Sequence, residues 1–147
     1  MSNNAYGSYI KQEVEGASQG KLIIMMYEAS IRFTRAAIKA IGEKQIEDAH
    51  NNIVRAENII YELMSTLNTD EGGEVADHLL RLYDFVIWEL VDANTYKNAD
   101  KLEGVIKVLT PLKDAWREAV QKENATQAKP APEDEKPKEV KPLNISG

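Results

Sequence analysis

Two histidines and the acids beside them are the residues whose types and spacing could do chemistry in this chain. Glu47-Asp48-Ala49-His50 is a Glu-x-x-His step. Two such steps, plus a glutamate from each of two further helices, hold a di-iron centre when all project into a helical bundle. The pattern fails here on two counts. Ile46 and Ala49 carry the apolar seam of their segment, which turns Glu47 outward. Glu74 and His78 are spaced by four residues rather than three. Solvated surface charge fits these residues better than a metal. Phosphoryl transfer through a histidine is the second possibility. It needs an exposed His followed by a basic residue and a Gly that gives access to the imidazole. His78-Leu79-Leu80-Arg81-Leu82 comes near, with His78 expected to face outward, but Leu82 stands where the Gly belongs. No Ser/His/Asp set, glycine-rich phosphate loop or general-base constellation is present. The chain has no cysteine, which removes thiol catalysis, disulfides and thiolate metal sites together. The expectation is a protein that is not an enzyme and carries no cofactor.

Four segments of helical period hold these residues. The first runs from about Ser18, a plausible N-cap, to about Ile41. The second has apolar residues at Ile46, Ala49, Ile53, Ala56, Ile60, Leu63 and Leu67, in steps of three and four without error. That is a heptad seam. Ala76, Leu79, Tyr83, Val86, Leu90 and Ala93 repeat it, as do Leu102, Val105, Leu109, Leu112, Trp116 and Ala119. The breaks fall at Gly42-Glu43-Lys44, at residues 68–73 and at Asn98-Ala99-Asp100. Short connections make sequential helices antiparallel, so the fold class is all-α, an up-down four-helix bundle. Pro111 lies inside the fourth pattern and predicts a kink or brief interruption near Val108–Thr110.

The boundaries read as an N-terminal segment over residues 1–16, the bundle over 17–121 and a tail over 122–147 rich in Pro, Lys and Glu. That tail cannot bury enough apolar area to offset its ordering entropy and is expected to be disordered. The net charge of −6 and pI of about 5.0 argue against nucleic acid and anionic membranes as partners. Met1-Ser2-Asn3-Asn4 lacks the features of a signal peptide, and no uncharged run approaches the roughly 20 residues of a membrane span. A cytoplasmic protein is expected.

With catalysis set aside, apolar residues remain on faces that should be wet. Leu22-Ile23-Ile24-Met25-Met26-Tyr27 circles a whole helix at roughly 100° per residue. One face gathers Leu22, Met25, Met26, Ala29 and Phe33; a second gathers Ile23, Ile24, Tyr27, Ile31 and Ile38. The second face admits three covers: neighbouring helices if this helix is the most central, a second copy in a homodimer, or a distinct protein partner. Phe85 and Trp88 likewise point away from their seam, among Arg81, Asp84, Glu89 and Asp92. Tyr6, Tyr9, Ile10 and Val14 recur at nearly helical intervals near the N-terminus, where they could fold back over a groove.

Several short motifs, in this order and spacing, resemble the FliS family, the flagellin-specific export chaperones of bacterial flagella. They are Asn4-Ala5-Tyr6-Gly7-Ser8-Tyr9, then Ala17-Ser18-Gln19-Gly20-Lys21-Leu22 leading to Met26-Tyr27-Glu28. Ala56-Glu57-Asn58-Ile59-Ile60-Tyr61-Glu62-Leu63, Leu82-Tyr83-Asp84-Phe85, Leu90-Val91-Asp92-Ala93-Asn94 and Asp114-Ala115-Trp116 continue the pattern. The chain departs from it at Gln19, where the family usually has Pro, and at Trp88-Glu89, where it commonly has two basic residues. The resemblance implies a cytosolic bundle that binds the C-terminal region of flagellin, prevents premature polymerisation and aids delivery to the type III export gate. On that footing Tyr6, Tyr9 and Ile10 form a displaceable segment. Ile24, Tyr27 and Ile31 supply the client face, with Phe85 and Trp88 beside them. A homodimer without client remains the main alternative.

Overall fold

The computed structural model describes the backbone of residues 19–67 and 69–128 and the side chains of residues 19–67 and 73–126. Four helices follow one another: α1 (Gln19–Gly42), α2 (Ile46–Ser65), α3 (Thr69–Tyr96) and α4 (Ala99–Ala128). No strand occurs among the described residues. The architecture is the expected all-α bundle.

The turns between helices are tight because the backbone closes them. After α1, the Gln45 N–H donates to the Ala40 carbonyl (2.8 Å) and the Lys44 N–H to the Ile41 carbonyl (3.0 Å). This paired ending needs a left-handed residue, usually glycine. Lys44 takes that role with φ 60°, and Lys97 repeats it after α3 with φ 50°. Asn98 then starts α4, its Oδ1 accepting from the N–H groups of Asp100 (2.9 Å) and Lys101 (3.3 Å). The third break is therefore shorter than expected, since Ala99 and Asp100 already belong to α4. Within α3 the regular path is broken at Gly73 (φ 58°, ψ −135°), a conformation open to glycine and strained for other residues.

The seams hold except at Ile46, the first seam position of α2, and Ala119, the last of α4, both exposed. Ala49, Ile53, Ala56, Ile60 and Leu63 are buried on α2, but Ile46 at its first position is exposed. Tyr83, Val86, Leu90 and Ala93 fill the inner face of α3, and Leu102, Val105 and Leu109 that of α4. α1 packs on α2, where the guanidiniums of Arg32 and Arg55 lie 5.4 and 5.7 Å from the Phe33 ring centre. Tyr27 of α1 and Tyr83 of α3 share a hydroxyl–hydroxyl hydrogen bond in the interior, their ring centroids 6.3 Å apart. Asn94 Nδ2 of α3 donates to His50 Nδ1 of α2 (2.9 Å), and Lys101 of α4 meets Asp92 (3.1 Å) and Glu89 (3.6 Å) of α3.

Two expectations about α4 are adjusted: there is no interruption at Pro111, and the helix passes residue 121. Proline leaves the Lys107 carbonyl without its helical donor, but both residues are exposed, so the carbonyl is not stranded in the core. The helix also continues past 121 to Ala128. Lys122, Glu123, Ala125 and Ala128 are good helix formers, and Lys122 lies 3.9 Å from Glu118 one turn back. Residues up to 114 and those from 115 onward form two separate units. Residues 1–18, which include Tyr6, Tyr9 and Ile10, and residues 129–147 lie outside the described residues.

Candidate partner-binding surface

The surplus apolar residues of α1 and α3 meet different fates. On α1 the buried side chains run from Ala29 through Ala40, Met26, Ala37, Ser30, Ile23, Thr34, Tyr27 and Ile31 to Ile24. At about 100° per residue that arc covers roughly 220° of the helix. Ile24 is 8 %, Tyr27 0 % and Ile31 3 % exposed, so the second face of α1 is not the open surface the sequence suggested. α1 is instead a central helix. Its arc is centred on Ser30 and Thr34, two polar residues no apolar count would place inside. Their hydroxyls donate to their own helix, Ser30 Oγ to the Tyr27 carbonyl (2.9 Å) and Thr34 Oγ1 to the Ser30 carbonyl (2.7 Å). So satisfied, they act as small side chains that admit a close neighbour.

On α3 the surplus stays outside. Phe85 is 50 % and Trp88 68 % exposed, as their offset from the seam implies. Tyr96 is more exposed still, and Val91 is exposed as well. Arg81, Phe85, Trp88, Asp92 and Tyr96 fall within about 80° of one another, a single outward stripe. Tyr96 was missed in the sequence because it lies beyond the last seam residue; extending the stripe by eight residues from Trp88 finds it. Lys101 flanks the stripe from α4, its ammonium held protonated more firmly than usual by the hydrogen bond to Asp92 and the charge of Glu89. Single exposed aromatics are ordinary, but three share this stripe, with the Asp92–Lys101 pair between Trp88 and Tyr96.

Among the described residues the histidines form no reactive set. His78 is exposed, with Leu82 half-buried one turn on. His50 is exposed and bonded to Asn94. Glu47 and Glu74 are exposed, and no cluster of three metal-ligating side chains occurs among the described residues. No helix among them is long and apolar enough to cross a membrane.

Fold and surface together define a class: an all-α antiparallel bundle with an aromatic strip left on its outside. The family follows from comparison with known proteins. The family model for the flagellar protein FliS matches residues 2–123. A flagellar secretion chaperone FliS from Campylobacter jejuni is 39 % identical over 128 residues, covering 86 % of this chain and all of that one. A FliS from Bacillus subtilis is 34 % identical over 120 residues, covering 82 % of this chain and 89 % of its own. A crystal structure of a flagellar chaperone from bacteria has the same fold, with a TM-score of 0.68 at 22 % identity over 83 % of this chain and 99 % of that one. The chain belongs to the FliS family of flagellar secretion chaperones.

Proposed function

We propose that this protein is a cytoplasmic flagellar export chaperone whose client is the C-terminal region of flagellin. It keeps that region from polymerising early and helps bring it to the type III export gate, by binding alone and without a cofactor. The observation that supports this most is the exposed strip of Phe85, Trp88 and Tyr96 on an otherwise well-filled bundle. Covering a large apolar side chain is worth roughly 1.5–3 kcal/mol. A client segment that orders on binding loses part of that gain, which leaves a contact able to release. Tyr6, Tyr9 and Ile10 belong to the proposal as the segment the client displaces. Ile24 and Ile31 join the contact only when their cover moves aside, whereas Tyr27 stays in the core with Tyr83.

Phe85→Ser with Trp88→Ser tests the reading by co-purification with flagellin. Helix content should be unchanged and flagellin recovery at least about tenfold lower, the loss of about 1.4 kcal/mol or more. Full recovery by the folded double variant would remove the strip from the site. Sedimentation with and without a peptide of flagellin's C-terminal region separates the chaperone from a homodimeric adaptor, which would dimerise and ignore the peptide.

A further inference from the structure

A groove of about 300 Å³ opens between α1 and α4, lined by Glu28, Ile31, Arg32 and Arg35 of α1 and Lys113 of α4. It carries three cations and one acid in a chain whose net charge is −6. Lys21 and Lys39 prolong the same exposed stripe of α1, Lys39 paired with Glu43 at 2.8 Å. Arg32 rests one face on the Phe33 ring, which leaves its N–H edges for an acceptor. Among the described residues neither Arg32 nor Arg35 has a carboxylate within 4 Å. Lys113, mostly covered, meets Asp114 at 3.9 Å, the outer edge of an ion pair. Like charges gathered around one opening repel, and an anion placed among them relieves that repulsion.

We propose that this groove docks an acidic segment of a partner protein, its carboxylates meeting Arg32, Arg35 and Lys113. The guanidinium fork matches a carboxylate in paired hydrogen bonds. Ile31 closes the floor of the groove and is itself only 3 % exposed, so the cations above it carry the contact. Glu28 on the wall opposes the unbroken charge of a nucleic-acid backbone. A short peptide can put carboxylates opposite the cations and a neutral residue elsewhere. The cations Arg32, Arg35 and Lys113 take no part in the flagellin reading, so this inference goes beyond it.

The probe is a dye-labelled peptide, Glu-Asp-Glu-Leu-Glu-Asp-Glu, titrated with the full chain and read by fluorescence anisotropy. Binding should saturate, weaken as salt rises from about 50 to about 300 mM, and fall at least about tenfold in Arg32→Glu/Arg35→Glu and in Lys113→Glu. Lys107→Glu, an equal charge change elsewhere on α4, should leave it within about twofold, with circular dichroism confirming each fold. No binding, or equal binding by the groove variants, overturns the proposal. Displacement by a uridine oligonucleotide of matched charge reassigns the groove to phosphate. Tighter peptide binding after Glu133, Asp134 and Glu135 are replaced by amides in the full chain reassigns it to the chain's own C-terminal segment. Self-association that Arg35→Glu abolishes reassigns it to a second copy.

Discussion

α1 and α3 both carry more apolar side chains than one seam requires, and they place the excess on opposite sides of the protein boundary. In α1 the excess is enclosed; in α3 it faces water. The difference lies in what stands between the large residues. Ser30, Thr34 and Ala37 are small and cost nothing further to enclose once the two hydroxyls are bonded. Arg81, Asp84, Glu89 and Asp92 interleave with Phe85 and Trp88, and packing that face would bury charge. The size and charge of the spacers, more than the number of apolar residues, decide whether a second face is core or contact.

The sharpest way to break this comparison is to truncate one aromatic from each helix. Tyr27→Ala should cost about 3–5 kcal/mol by urea unfolding, whereas Trp88→Ala should stay within about 0.5 kcal/mol. Equal costs would abolish the distinction. The helix ends give smaller effects. Gly73→Ala should destabilise by about 1–3 kcal/mol through backbone strain alone, because nothing lies within 4 Å of the added carbon. Lys44→Gly should raise stability by about 0.5–1 kcal/mol, read as a higher midpoint, by relieving the left-handed residue that ends α1.

The smallest effect concerns Glu57 on α2. Burial pushes its carboxyl pKa above the ordinary range, and the charge of His50 offsets only part of that. A carboxyl whose pKa is raised on folding holds its proton more tightly in the native state, so native stability at this site rises as pH falls through that pKa. Glu57→Gln should therefore stabilise the protein at neutral pH, with the advantage gone by about pH 3. An advantage that persists or grows in acid would contradict the burial.

The bundle was readable because its seams obey a strict rule. α2 repeats in threes and fours from Ala49 to Leu63, and each of those seam residues is buried. Where the rule was pushed to an end it failed: Ile46 fits the spacing but lies in the first turn, beyond the reach of a neighbour. Pro111 does not interrupt α4 because the donor it removes falls on the exposed side of the helix, beside Lys107. The exposure of Phe85 and Trp88 followed from their angle alone. The interior position of α1's second face could not, since it depends on which helix is central, and helical period carries no information about neighbours in space. Ser30 and Thr34 were invisible for a related reason: their polarity is cancelled by bonds that only the folded backbone supplies.

The paired hydroxyls of Tyr27 and Tyr83 bear on a different question, that of alignment. Oily rods slide past one another by a turn with little penalty, because one layer of leucine and isoleucine resembles the next. A slip of α1 along α3 would part the two phenols and strand both in a dry setting, at about 1–3 kcal/mol for each. This one polar contact acts as a dowel, letting the bundle choose a single setting from several that grease alone would accept.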